Sequence, residues 1–260
     1  QLYPKLSQHI GKIPTVMIAP DDVQIITGTS EERRKLMDSL LSQIDANYLR
    51  LLIQYNKVLQ QRNSLLKWSA EQGTIDETLL DTLDQQLMEY GAPIFELRTK
   101  LLNEWLPIVL RLYESIAGNA DAIQIQYQSS LQNSQFKDLL QQALPKDKAM
   151  QRTTVGIHKD DLMITIQEQS FKQEASQGQR KSLLFAIRLA EWELLKKAKG
   201  FSPILLMDDI FEKLDEQRMA HLLGWVATST DGPVFITDTH KARVADLLGR
   251  YVENYQLIEI

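Results

Sequence analysis

Apolar positions along this chain change period twice. After Pro14, the run Thr15-Val16-Met17-Ile18 reads as a short buried strand, and Pro20-Asp21-Asp22 and Gly28 mark turns that follow it. From Thr29 the spacing becomes helical. Thr29 with Glu32 forms a capping-box pattern, and Leu36, Leu40, Leu41 and Ile44 share one face. Asp45 is placed to cap a second helix carrying Tyr48, Leu51, Leu52, Tyr55, Val58, Leu59 and Leu66. Past the polar break at Glu71-Gln72-Gly73-Thr74, apolar residues return at Leu80, Leu83, Leu87, Tyr90, Ile94, Leu97 and Leu101. Their alternating steps of three and four are those of a coiled-coil seam and predict a returning, antiparallel helix. Gly91 and Pro93 predict a kink in it, and Pro107 a second.

Beyond about residue 120 the period falls to two. Ile123, Ile125 and Tyr127 alternate with glutamines, and Leu162, Ile164 and Ile166 repeat the alternation after Gly156-Ile157-His158-Lys159-Asp160-Asp161. Helix and strand then alternate: a helix over 178–199 behind Ser176, a buried strand over 204–207, a helix over 216–227 and a strand over 234–237. Short βαβ steps of this kind predict a mostly parallel sheet covered on both faces.

Composition narrows the setting. The 260 residues contain no cysteine, which excludes disulfides and thiolate metal sites and fits a cytoplasmic protein. No apolar run approaches the roughly 20 residues that cross a bilayer, so no membrane partner is expected. The net charge of −5 lacks the basic footprint of a nucleic-acid binder. Local clusters at Arg33-Arg34-Lys35, Lys146 to Arg152, Arg180-Lys181 and Lys196-Lys197-Lys199 read, each alone, as solvated helix faces.

The chemistry gathers where the later strands end. In open α/β sheets ligands bind beyond the carboxyl ends of strands, so Asp208 and Asp209, directly after Ile204-Leu205-Leu206-Met207, stand at the mouth of a site. A first acid there would hold Mg²⁺ against nucleotide phosphates, and a second would orient or deprotonate water. The alternative is a strand that simply ends in solvent. Ser176-Gln177-Gly178-Gln179 opens a long helix and presents free N–H groups to an anion, or is an ordinary cap. The order of cap turn, helix, apolar strand, paired acids and Leu214-Asp215 favours an ATPase head over either plain reading. No G-x-x-x-x-G-K-[ST] occurs, so the phosphate cradle of such a head is not in this chain.

With these motifs the chain resembles the RecF family, whose head is similar to those of ABC ATPases and structural-maintenance-of-chromosomes proteins. Three blocks carry the resemblance. They are Pro20-Asp21-Asp22 through Gly28 to residues 32–38, then Gln60-Gln61-Arg62-Asn63-Ser64-Leu65-Leu66-Lys67, then Gly156 to Leu162 running on through the ATPase motifs. It implies a P-loop NTPase-like α/β head fragment of ABC/SMC type with a large inserted helical arm. The expected domains are 1–28, the end of an N-terminal head lobe; 29–120, the arm; and 121–260, the C-terminal lobe with signature, Walker B and D-loop.

Residue by residue, the resemblance makes Asp208 the Walker B magnesium acid and Asp209 the catalytic acid. Ser176, Gln177, Gly178 and Gln179 become the signature turn that caps the γ-phosphate held by an opposite subunit, and Lys213, Leu214 and Asp215 the D-loop. Thr239 or His240 becomes the γ-phosphate sensor. The chain departs from the family pattern at Ser30, Ile157, Lys159 and Lys213. The family begins with a strand, P-loop and helix, so roughly one hundred residues are expected before Gln1.

The function implied is that of a slow, Mg²⁺-dependent ATPase that dimerises on ATP, binds single- and double-stranded DNA and helps load RecA at gaps with RecO and RecR during DNA repair, replication and the SOS response. This chain alone is expected to be inactive. A second reading is a non-enzymatic DNA-binding or scaffold module. A third, an ABC transporter nucleotide domain, fits poorly with so long a helical insertion.

Overall fold

A computed structural model describes residues 9–119, 121–210, 215–252 and 254–258. In chain order the elements are β1 (Thr15–Ile18), α1 (Gln24–Thr27), α2 (Ser30–Ile44), α3 (Ala46–Gln72), α4 (Glu77–Ala117), β2 (Ile123–Gln128), α5 (Phe136–Met150), β3 (Asp161–Ile166), β4 (Gln169–Ser170), α6 (Phe171–Glu174), α7 (Gln177–Lys199), β5 (Ile204–Asp208), α8 (Glu216–Ser229), β6 (Val234–Thr237) and α9 (Lys241–Tyr251). Short 3₁₀ turns lie at Pro20–Val23, Ser130–Gln132 and Ile157–Lys159.

These elements form two compact units. A head unit takes the described residues up to Thr29, Glu104–Ile125 and those from Ile164 onward; a helical unit takes Ser30–Asn103 and Gln126–Met163. The division falls inside α4, β2 and β3. It differs from the expected boundary at 120, because residues 126–163 are tied to the helices by buried ion pairs.

In the helical unit, Asp45 caps α3 by accepting from Asn47 N–H at 2.7 Å, and Gly73 ends it in a left-handed turn. Helices α3 and α4 run antiparallel, since Tyr48 meets Arg98 near one end and Arg62 meets Asp84 near the other. The buried face of α4 in this unit runs Leu80, Leu83, Leu87, Gly91, Ile94, Arg98 and Leu101. Tyr90 and Leu97, expected on that seam, are only half-buried. Gly91 replaces Tyr90 because Phe136 and Tyr55 fill the space: a Cβ there would stand 2.6 Å from the Phe136 ring. The helix remains continuous through Pro93 and Pro107.

Two arginines stitch this core. The Arg98 guanidinium donates to Asp38 at 2.7 Å, Asp160 at 3.0 Å, the Ile157 carbonyl at 2.8 Å and Tyr48 Oη at 3.1 Å. Arg62 donates to Asp84 at 2.5 Å, Asp147 at 2.7 Å and Thr153 at 2.9 Å. A buried charge is tolerated only when so paired. Gly156, at φ +113°, adopts a backbone conformation that L side chains rarely reach, and a Cβ there would meet the Tyr55 hydroxyl at 2.8 Å.

The head unit is built on a parallel sheet, β1-β5-β6, in which Met17, Leu206 and Phe235 fall in one register row, as do Ile18, Met207 and Ile236. Helix α7 is buried on almost every side, so its residues 182–187 are apolar except Ser182, as expected for a helix inside a layered core. Trp192 donates to the Pro203 carbonyl at 2.9 Å, and Arg188 grips Asp22 at 2.6 Å, fixing the turn after β1. A second sheet has the order β2-β3-β4, with β3 and β4 antiparallel. No described helix is long and apolar enough to cross a membrane.

Candidate functional site

Parallel register delivers the acids. Asp208, the last residue of β5, stands opposite Thr237, the last of β6, and the Thr237 hydroxyl donates to the Asp208 carboxylate. Asp209 follows in a left-handed conformation, φ +49°, with its N–H bonded to the Thr237 carbonyl at 3.1 Å. A non-glycine residue held there is a strained feature of the kind that gathers at functional sites.

Both acids line a cavity of about 400 Å³. Its apolar wall comes from Ile18, Val23, Leu184, Phe185 and Ile210, and its polar lining adds Gln177, Arg180 and Lys181 from the first turns of α7. Two cations and two acids thus share the lining of a space large enough for a small ligand. Arg180 donates to the Lys172 carbonyl at 2.9 Å, while its buried Nε has no partner.

The rest of the Ser176–Gln179 turn lies in a second constellation. Ser176 and Gln179 make a reciprocal capping box, Gln179 N–H to Ser176 Oγ at 3.1 Å and Ser176 N–H to Gln179 Oε1 at 2.8 Å. Gln179 also donates to Asp121 at 3.0 Å, and Tyr113 donates to the same carboxylate. Burial pushes the Tyr113 hydroxyl well above its ordinary pKa, so it stays a donor. The Arg218 guanidinium lies over Gly178: a Cβ on Gly178 would come 2.3 Å from Arg218 Nη1. Arg218 is held by Asp215, which caps α8 through the Arg218 N–H at 3.0 Å and pairs with its guanidinium at 2.5 Å. The Arg218 N–H, and then its charge, hold the Asp215 carboxyl below the usual range.

Cavity and capping turn therefore divide the expected site residues. Asp208, Asp209 and Gln177 meet at the cavity; Ser176, Gly178, Gln179 and Asp215 meet around Arg218. Thr239 and His240 do neither. They are exposed, share a hydrogen bond at 2.8 Å and do not line the cavity. Lys213 and Leu214 lie outside the described residues. Sequence reasoning missed Thr237 and Arg218. The first is visible only through strand register, whereas the second stands three residues after its helix cap, a spacing legible in sequence.

Among the described residues no group of three or more His, Cys, Asp or Glu converges on a metal position. Asp208 and Asp209 still offer hard oxygen donors, and Mg²⁺ commonly takes only one or two protein carboxylates when water and phosphate oxygens complete its shell. The pair fits such an ion.

Comparison with solved structures places this geometry in a class. The chain superposes on the recombination mediator protein RecF bound to ATPrS, with TM-score 0.82 and 32% identity, over 93% of this chain and 66% of that one. An ATP-bound structure of RecF gives TM-score 0.79 at 30% identity, over 89% and 64%. The fold is a P-loop NTPase head of ABC type with an inserted helical arm. Among curated relatives, the DNA replication and repair protein RecF of Flavobacterium johnsoniae is 45% identical over 258 residues, 99% of this chain and 72% of its own length. That of Parabacteroides distasonis is 39% identical, over 99% and 70%. No protein-family model matches. The chain belongs to the RecF family of DNA replication and repair proteins.

Proposed function

We propose that this chain supplies the Walker B, signature and D-loop parts of an ATP-dependent DNA clamp that dimerises around nucleotide. The observation that carries the reading is the delivery of Asp208 and Asp209 from a parallel sheet to a cavity shared with the first turns of α7. The similar RecF proteins solved with ATP and ATPrS, described as mediators in the RecFOR pathway, support ATP as ligand and RecO and RecR as partners. Loading of RecA on gapped DNA in the cytoplasm belongs to the same proposal.

In this reading Asp208 holds Mg²⁺, oriented by the Thr237 hydroxyl, and Asp209 positions the attacking water and takes its proton. When bound, the ion offsets the charge of the β- and γ-phosphates. Ser176 and Gly178 offer the positive end of α7 to the γ-phosphate bound by a second subunit, beside Asp215. Thr239 and His240 remain proposed sensors; they follow β6, whose last residue, Thr237, stands opposite Asp208 of β5.

A DNA-binding scaffold that never meets ATP is favoured by one observation, the lack of a G-x-x-x-x-G-K-[ST] motif in this sequence. Calorimetry decides between the two. Mg-ATP should bind poorly to this chain and well to a longer form that carries the P-loop. In that longer form Asp209→Asn should retain binding and slow hydrolysis. Failure of the longer form to bind ATP, with DNA binding intact, establishes the scaffold; unchanged hydrolysis by Asp209→Asn removes Asp209 from the catalytic role.

A further inference from the structure

The helical unit collects cations around residues 152–161 and turns the neighbouring acids away from them. Asp147 is engaged by Arg62 and by the Thr154 N–H and hydroxyl; Asp160 by Arg98 and Tyr127; Asp161 by Arg33 at 2.6 Å and 3.0 Å. Two further bonds fix the cations. Arg34 Nη1 donates to the Asp160 carbonyl at 2.6 Å, which sets its guanidinium beside Lys159. His158 Nε2 donates to the Thr153 carbonyl at 3.1 Å, which sets the turn carrying Lys159 against the backbone that follows Arg152.

Arg152 and Lys159 are exposed, and among the described residues neither side chain has a carboxylate partner. Partial burial, and then the positive Arg152 and Arg34, hold the Lys159 ammonium below its ordinary pKa, against a smaller pull from Asp147. Like charges held together by such part-buried bonds are unfavourable unless an anion joins them. The guanidinium forks and the ammonium suit phosphate oxygens.

We propose that Arg34, Arg152 and Lys159 form a phosphate-binding site for the backbone of double-stranded DNA. It rests on the DNA-binding reading above and names where, on a chain of net charge −5, a polyanion is received. The contacts are to phosphate, so they position the duplex without reading its sequence.

The test is anisotropy of a labelled duplex across a salt series, using the full chain. Lys159→Gln and Arg152→Gln should each weaken binding about tenfold near 0.1 M salt and lower the slope of log K against log salt by about 1. Lys159→Arg should keep the slope. Lys197→Gln, which removes one charge paired to Glu104 in the head unit, should leave the slope unchanged. Equal losses in Lys197→Gln would reduce the effect to diffuse attraction and overturn the site. Unchanged slopes in the cluster variants, with normal binding by the unmodified chain, overturn the site and leave the DNA reading standing. No duplex binding by this chain, and none by the longer P-loop form with Mg-ATP, sinks both. Equal displacement of the duplex by polyglutamate at matched charge would assign the cluster to an acidic protein instead. Thermal melts of each variant confirm that the fold is retained.

Discussion

The two units hold their interiors in opposite ways. In the helical unit, the centre of the α3–α4 pairing contains two arginines, Arg62 and Arg98, each essentially inaccessible to solvent and each bonded to several oxygens. In the head unit, the centre is the apolar α7 packed beside β1, with Trp192 and Trp225 edge to face at 5.7 Å, and the ionic grip of Arg188 on Asp22 lies nearer the surface. The first arrangement specifies register, because a slip of one turn strands a charge. The second leaves register to the strands and keeps the ends of the sheet open for chemistry. An arm that must hold its shape and a head that must present strand ends have different needs.

Removing the charge itself breaks this comparison most sharply. Arg98→Ala leaves Asp38 and Asp160 without their cation and should cost about 3–5 kcal/mol, the range for an orphaned buried charge. Arg188→Ala leaves Asp22 with access to water, and leaves the buried Glu191, whose carboxyl pKa burial already raises, able to take up a proton; it should cost about 1–3 kcal/mol. Urea unfolding of both variants measures the difference. Equal costs would show that the buried network of the helical unit is no more than an ordinary ion pair.

Acid should expose the same asymmetry. His158 is half-buried, with its Nε2 donating to the Thr153 carbonyl and its Nδ1 accepting from the Tyr55 hydroxyl at 2.8 Å. Burial, reinforced by Lys159 and Arg34, brings its pKa down to about 4. An unfolded histidine titrates near 6.5. Because the folded value is the lower, this residue's contribution is complete above about pH 6.5 and is lost as pH falls toward 4, by about 3 kcal/mol. Acids titrate over the same range, and burial raises both Asp84 and Asp160, so the informative quantity is a difference. Stability of the unmodified chain minus that of His158→Gln should shrink steadily between pH 6.5 and 4; a constant difference would mean the ring is charged in the folded state.

What was legible in sequence follows the same divide. Period and punctuation give the strands at 15–18, 204–207 and 234–237, the caps at Asp45 and Ser176, and the position of Asp208 at a strand end, because each depends on neighbours in the chain. The seam of α4 is misread at Tyr90 and Leu97. A rule that looks for apolar residues passes over Gly91, which is selected by the shape of Phe136, and Arg98, which is made tolerable by Asp38 and Asp160 far along the chain. Helix α5 was not foreseen, and the pairing of Thr237 with Asp208 needs strand register. Arg218 was legible as a helix residue three places after its cap, but its position over Gly178 was not.

Those two glycines give the finest test, since the same substitution meets different neighbours. At Gly91 a methyl group would stand 2.6 Å from the Phe136 ring and 3.1 Å from Tyr55, both buried and aromatic. Neither ring can withdraw without moving the core, so Gly91→Ala should lose about 1–3 kcal/mol despite the better helix propensity of alanine. At Gly178 the approach would be closer, 2.3 Å, but the atom met is the tip of Arg218, a long side chain that can swing away. Gly178→Ala should therefore change stability by no more than about 0.5 kcal/mol. Its effect should appear instead in whatever the capping turn binds, because the displaced guanidinium and the new methyl group both crowd the free N–H groups at the start of α7. Urea unfolding of the two variants, side by side, settles the stability arm. If Gly178→Ala proves as costly as Gly91→Ala, the Arg218–Asp215 pair is a rigid part of the head's packing, and the turn beneath it is built for structure before it is built for phosphate.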